Sequence, residues 1–259
     1  MMRCKNPVAV AAVACTLFAG CSGSSGSGST TRQRSSVLTV AAIPGRDYPA
    51  SHVLNLANGA LDLQTAMFSI DNVSIEENTG EGSGQNGGAE GKGENEGGKE
   101  GGNEGGENES EDIVLTGPFS IDIATGGAVL DSVPVFPGTF RQADLEFHTA
   151  LQAPFAGHSI HVAGHYLPAV GSPIPFTLHS DFTQQIQVPV DNGGVTVTAN
   201  TVMPIALTFD LTALFGDLDF ASAAVVNGEI LIDDAHNANL LAMFEANLAD
   251  FVDLEAGDR

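Results

Sequence analysis

From residue 37 onward, apolar residues alternate with polar residues in short runs that are separated by Gly, Pro, Asn and Asp. A period of two is typical of strands that bury one face. The runs that show this pattern are residues 61–63, 66–75, 113–123, 127–135, 140–148, 159–166, 176–182, 185–190, 194–199, 203–207 and 224–232. Many short strands joined by regular turns predict an all-β domain, either an antiparallel β-sandwich or a partly open barrel, and we favour the sandwich.

The pattern changes towards the C-terminus, where residues 236–250 carry apolar side chains at helical spacing. These side chains are Leu240, Leu241, Met243, Phe244 and Leu248, and Phe251 and Val252 continue the same spacing directly after the range. The acidic pair Asp233-Asp234 suits the start of a helix, both as a cap and through the helix dipole. We therefore predict one C-terminal amphipathic helix that packs on the sheet. Its Met and Phe side chains are interpreted first as core residues, with a ligand groove as the alternative.

The N-terminus has the three zones of a secretory signal: a basic start at Arg3 and Lys5, an apolar run over residues 8–18, and small residues before Cys21. The apolar run is too short to span a bilayer, which takes about 20 residues. Residues 17–21, Leu-Phe-Ala-Gly-Cys, resemble the bacterial lipobox, although that pattern prefers Leu where Phe18 stands. The resemblance implies that residues 1–20 are removed and that Cys21 carries lipid. The alternative is an ordinary signal peptide with an incidental cysteine.

Residues 21–36 are mostly Ser, Gly and Thr, a composition typical of a flexible tether. A tether of this kind lets a lipid-held domain stand away from the membrane. Ser22, directly after the cysteine, resembles the sorting residue of Gram-negative lipoproteins destined for the outer membrane. The expected location is therefore the cell membrane or the outer membrane, with the domain facing the periplasm or the cell exterior.

The charge balance is strongly acidic, with a formal net charge of −23 over the whole chain. Removal of residues 1–20 leaves 7 basic and 32 acidic residues, or −25. This charge argues against nucleic acid as a partner and against a polybasic hold on anionic lipid, whereas cations remain suitable partners. Because Cys4 and Cys15 lie in the signal, the mature domain, residues 37–254, is expected to have no disulfide and to depend on one hydrophobic core.

Residues 76–112 interrupt this domain with 12 acidic residues and only two lysines, Lys92 and Lys99, interleaved with Gly and Asn. The near absence of apolar residues predicts a disordered loop between two strands. We interpret it as a solvated spacer. Loose cation binding is the alternative, but a Gly-rich backbone cannot preorganise carboxylates around an ion.

Three segments carry a resemblance to uncharacterised bacterial lipoproteins of the domain-of-unknown-function type that have transthyretin-like or prealbumin-like sandwiches. They are residues 67–73, residues 135–141 with a Pro-Gly turn before an aromatic residue, and residues 205–211. The resemblance spans about residues 53–250. It implies the fold rather than an activity.

The sequence shows no nucleophile elbow, no phosphate-binding glycine loop followed by Lys and no H-E-x-x-H motif, so we expect no enzyme. The notable chemistry is a group of histidines within 32 residues. The group consists of His158 and four histidines that strand alternation places on the outward face. These four are His148, His161, His165 and His179. Neutral imidazole suits Zn²⁺ or Cu²⁺. Within one strand His161 and His165 lie about 13 Å apart, so a metal site would need partners on a neighbouring strand.

We therefore predict a membrane-anchored extracytoplasmic binding or structural module with no cofactor, whose protein or small-ligand partner the sequence does not identify. The alternative is a lipoprotein that binds a divalent metal, Zn or Cu, through the outward histidine face. Ordinary polar residues on a solvent-facing strand would give the same histidine pattern.

Overall fold

The structure, a computed structural model, describes residues 34–77 and 112–256, apart from residues 151, 154, 156 and 191–193. The signal peptide, Cys21, nearly all of the tether and most of the acidic insert lie outside the described residues. The predictions made for them therefore stay predictions.

Thirteen strands are described in these ranges, and most of them coincide with the alternating runs of the sequence. They are β1 Ser36–Pro44, β2 Val53–Leu56, β3 Gly59–Glu77, β4 Ile113–Asp122, β5 Ala128–Val135, β6 Gly138–Phe147, β7 Ile160–Pro168, β8 Ile174–Ser180, β9 Gln185–Pro189, β10 Val195–Val197, β11 Val202–Phe209, β12 Ile230–Ile232 and β13 Val252–Ala256. The helices are α1 Leu211–Phe215, α2 Ala238–Asn247 and a 3₁₀ helix at Phe220–Ser222. The predicted all-β sandwich with a helix near its C-terminus is confirmed.

The strands form two sheets that curl into a half-barrel. The small sheet has the order β13-β11-β1-β5, and the large sheet has the order β10-β6-β3-β7-β8-β12. In the large sheet β2 and β4 also pair with β3, and β9 pairs with β6. Most pairs are antiparallel, as expected, but β1 runs parallel to β11 and β12 runs parallel to β8.

Strand β3 is the longest, with 19 residues, and it organises the large sheet. Its first half pairs with β7 and its second half pairs with β6. The register shifts between Leu63 and Thr65 and again between Ile70 and Asn72. The second shift is the break in alternation visible in the sequence. At the first shift Gly164 of β7 approaches so closely that a Cβ there would lie 2.1 Å from the Asp62 carbonyl oxygen.

The two sheets meet at one continuous hydrophobic core built from the inward residues of each strand. Phe68 of β3 lies near its centre and is fully buried. Its ring centroid is 5.6 Å from that of Phe209 on β11, 5.5 Å from that of Phe251 and 6.4 Å from that of Phe147 on β6. This aromatic cluster joins the large sheet to the small one.

The C-terminal region differs from the prediction in detail. The helix ends at Asn247, and Val252 already begins β13, so the helical spacing of Phe251 and Val252 was misleading. Val252 instead pairs with Phe209 and completes the small sheet. Met243 was expected in the core, but it is 41% exposed.

Two further expectations near this helix were wrong. Asp233 does not cap α2; its Oδ1 accepts hydrogen bonds from the backbone N–H groups of Ala235 and His236 and so closes a turn before the helix. Of the run at residues 224–232, only Ile230–Ile232 forms a strand, because Asn227 adopts a positive φ of 53° in a turn.

None of the described helices is long and apolar enough to cross a membrane.

Candidate functional site

Strands β7 and β8 place two of the predicted histidines side by side. His161 and His179 are Cα partners in this antiparallel pair. Their neighbours Val162 and Leu178 are fully buried in the core. Because side chains alternate along a strand, the two imidazoles lie on the opposite, outer face of the large sheet. The adjacency and register that a shared site needs are therefore present.

A third histidine joins them to form what we call the histidine stack, His158, His161 and His179. The rings of His158 and His179 are 4.4 Å apart and 5° from parallel, and those of His161 and His179 are 5.0 Å apart at 27°. His179 is therefore the middle ring. His158 comes from the connection before β7, and its Nδ1 lies 2.5 Å from Oδ1 of Asp181.

The other two predicted histidines lie outside this stack. His148 is exposed beyond the end of β6, where its backbone N–H donates to the Ser69 carbonyl. His165 lies further along β7, with its Nδ1 3.4 Å from Nε2 of Gln64. The outer face thus brings His161 and His179 together and adds His158, but it does not gather all four predicted residues at one point.

The surroundings favour the neutral form of two rings of the stack, His161 and His179. Burial lowers the pKa of His161, and the charge of His158 lowers it further, while Asp122 acts in the opposite direction. Burial likewise lowers the pKa of His179, with contributions from His158 and His161 against Asp233 and Asp181. Both rings are therefore neutral at pH 7, with a nitrogen lone pair available to a cation.

One buried ring nitrogen of the stack has no hydrogen bond within the described part of the chain. Nδ1 of His161 is buried and has no partner among the described residues. Buried polar atoms are nearly always paired, and an unpaired one often marks a place where a water or an ion binds. This nitrogen is therefore suited to accept a ligand.

The register also shows two residues that sequence reasoning missed. Met67 of β3 is the Cα partner of His161 on one side and of Asp122 of β4 on the other. With His179, these residues form a line across four strands, which we call the outer-face row: Asp122, Met67, His161 and His179. The outward position of Met67 could be read from the buried neighbours Ala66 and Phe68, but its pairing with β7 could not.

Within the described ranges, no three His, Cys, Asp or Glu side chains are arranged to hold a metal ion. The near-parallel stacking explains this, because stacked rings face one another with their planes rather than with their nitrogens. The described residues therefore offer two neighbouring imidazole donors, His161 and His179, on opposed positions of β7 and β8.

A separate cleft of about 320 Å³ lies at one end of the sandwich, where β3 ends and β4 begins. Its walls combine apolar residues such as Val135 and Phe140 with the charged residues Glu77 and Asp112. The guanidinium of Arg34 lies 5.5 Å from the centre of the Phe136 ring in this cleft. The mixed lining favours no single class of ligand.

Comparisons of the chain with protein-family models, with curated proteins and with solved structures gave no significant match.

Proposed function

We propose that this chain is a lipid-anchored extracytoplasmic protein that binds a transition-metal ion through His161 and His179. The anchor rests on the lipobox-like sequence that ends at Cys21, on the tether that follows it and on the resemblance to bacterial lipoproteins. We propose a binding role rather than an enzymatic one, because the site has imidazoles and carboxylates but no activated nucleophile.

The observation that carries the metal proposal is the direct opposition of two neutral imidazoles in neighbouring strands. Directly opposed residues have Cβ atoms about 5 Å apart, which suits two ligands of one ion. Neutral imidazole is the form that binds Zn²⁺ and Cu²⁺. Asp122, Asp181 and Asp233 place negative charge around the stack and so attract a cation.

The lowered pKa values change the expected pH dependence of binding. An ordinary imidazole, with a pKa near 6.5, would lose its metal as the pH falls through that value. His161 and His179 stay neutral to lower pH, so metal binding should persist below about 6.5. Carboxylate-only binding by the acidic insert would survive further still, to about the Glu value of 4.3.

The test is a calorimetric titration of Zn²⁺ and Cu²⁺ into the purified full-length lipoprotein in detergent, made without a histidine tag. The double variant His161→Gln, His179→Gln should lose the tight site, whereas His165→Gln, on the same strand but outside the stack, should keep it. The metal proposal would be overturned if the wild type at pH 7.5 showed no saturable binding tighter than micromolar for Zn²⁺ or Cu²⁺ and, under reducing conditions, none for Cu⁺ or Ag⁺.

The anchor is tested separately with Cys21→Ser. Cells grown with a labelled fatty acid should incorporate label into the wild-type protein and none into the variant. Equal incorporation in both would show that Cys21 is not the lipidated residue.

A further inference from the structure

We infer that Met67 is a third ligand of this site and that the site prefers a soft monovalent cation, Cu⁺ or Ag⁺, to Zn²⁺. This inference rests on the proposed function and adds the class of ion. Its first support is position: Met67 and His161 are directly opposed, in the same row as His179. Ala66 and Phe68 point into the core and are fully buried, so the Met67 thioether lies on the outer face with the imidazoles.

The second support is that unpaired polar atoms belong to residues at the positions next to Met67 on β3 and β7. In the described part of the chain, the buried side-chain atoms without a hydrogen-bond partner are Thr65 Oγ1, Ser69 Oγ and His161 Nδ1. Thr65 and Ser69 stand two residues before and two residues after Met67 on β3, and Ser69 is fully buried. Three unpaired polar atoms at the strand positions next to Met67 point to a place where the protein receives a ligand.

The third support is the chemistry of the donors. A thioether is a soft ligand that selects Cu⁺, and imidazole binds copper as well as zinc. Two neutral imidazoles and one thioether therefore make a three-donor set that is well matched to Cu⁺ or Ag⁺. Zn²⁺ would gain little from the thioether, because its usual protein ligands are thiolate, imidazole and carboxylate.

Asp122 at the end of the row supplies charge to this site. Its Oδ1 already accepts hydrogen bonds from the backbone N–H groups of Ala66, at 3.0 Å, and Ala124, at 3.1 Å. That oxygen is therefore engaged, and we assign the carboxylate to balancing the single positive charge of the ion. In the loaded site, Met67, His161 and His179 would be neutral donors to the bound cation, and the Asp122 carboxylate would balance its charge.

The experiment compares Met67→Leu with Met243→Leu, an exposed methionine on α2 that serves as the matched control. Leu and Met have similar volumes, so both variants should fold, and circular dichroism melting verifies this. Affinities for Cu⁺ are measured anaerobically with ascorbate against a chromophoric Cu⁺ chelator. Ag⁺ and Zn²⁺ are titrated by calorimetry.

Met67→Leu should weaken Cu⁺ and Ag⁺ binding about tenfold or more, the loss typical when a supporting group of a metal site is removed. Zn²⁺ binding should change little, and Met243→Leu should behave as the wild type. X-ray absorption of the Cu⁺-loaded wild type should show a sulfur neighbour that is lost in Met67→Leu. Unchanged Cu⁺ affinity in a folded Met67→Leu variant would overturn the role of Met67 and leave the proposed function standing. Failure of the wild type to bind Cu⁺, Ag⁺ or Zn²⁺ would remove the proposed function itself.

Discussion

Truncation of Phe68 to Ala tests the junction between the two sheets. This ring is fully buried on the core side of β3, one residue from Met67 on the opposite face. Its three aromatic neighbours come from β6, from β11 and from the segment before β13, so its removal opens a cavity between the two sheets. The substitution therefore acts on the core and leaves the outer face of the strand in place.

The expected loss can be estimated from this environment. Truncation of a buried Phe to Ala costs about 3–5 kcal/mol. Each aromatic pair adds about 0.5–1.5 kcal/mol beyond the burial of area, and Phe68 makes three such pairs. We therefore expect the upper part of this range, about 4–5 kcal/mol. In a domain of this size that corresponds to a fall in Tm of roughly 10–15 °C.

The assay is urea unfolding of the wild type and Phe68→Ala, followed by circular dichroism. Val129→Ala is the control, because Val129 is 67% exposed on β5 and its truncation should change the free energy of unfolding by less than about 0.5 kcal/mol. A loss below about 1 kcal/mol for Phe68→Ala would refute the position of this ring between the sheets.

Four further outcomes are expected. Because the folded state lowers the pKa of His161 and His179, the unfolded chain takes up protons first, so the free energy of unfolding of the metal-free protein should fall as the pH drops below about 6.5. Urea unfolding at pH 7.5 and 5.5 should show this fall, and the variant His161→Gln, His179→Gln should show a smaller one; an equal fall in both proteins would contradict the neutral state of His161 and His179. Gly164→Ala should cost about 1–3 kcal/mol in the same assay, since its Cβ would meet a backbone carbonyl oxygen at 2.1 Å. Asp210→Ala should cost about 1 kcal/mol, because this side chain accepts hydrogen bonds from two backbone N–H groups at the start of α1. Replacement of residues 80–108 by a short Gly-Ser linker should leave Tm nearly unchanged in a calorimetric melt, and a large drop would show that the insert packs on the domain.

Much of the fold could be predicted from the sequence because the hydrophobic alternation records which face each strand buries. Even the register shift near Ile70 is visible as a break in that alternation. Alternation carries no information about which strands are neighbours. The parallel pairing of β1 with β11 joins Val37 to Val202, and no local pattern could indicate it.

For the candidate site, too, the sequence predicts which side chains point outward but not which strands lie next to each other. The outward direction of His161 and His179 follows from their own strands, whereas their direct opposition depends on the β7–β8 register. His158 joins the stack from a connection, where no periodicity applies, and Met67 joins the row through β3, a strand about 100 residues earlier in the chain. The error at the C-terminus arose because the spacing of Phe251 and Val252 matched a helix by coincidence.

The position of β11 between β1 and β13 brings the two ends of the described chain to one side of the domain. Ile205 pairs with Val40 of β1 and with Ala256 of β13, which places these two residues about 10 Å apart across the sheet. Since β13 runs antiparallel to β11, and therefore also to β1, the chain leaves β13 level with Val40 and heads towards the end of the sheet where β1 begins at Ser36. A reporter fused after Ala256 would therefore sit close to the tether and to the membrane that we propose it reaches. For the same reason a circular permutant could join Ala256 to Ser36 with a short linker and open new ends between Glu77 and Asp112.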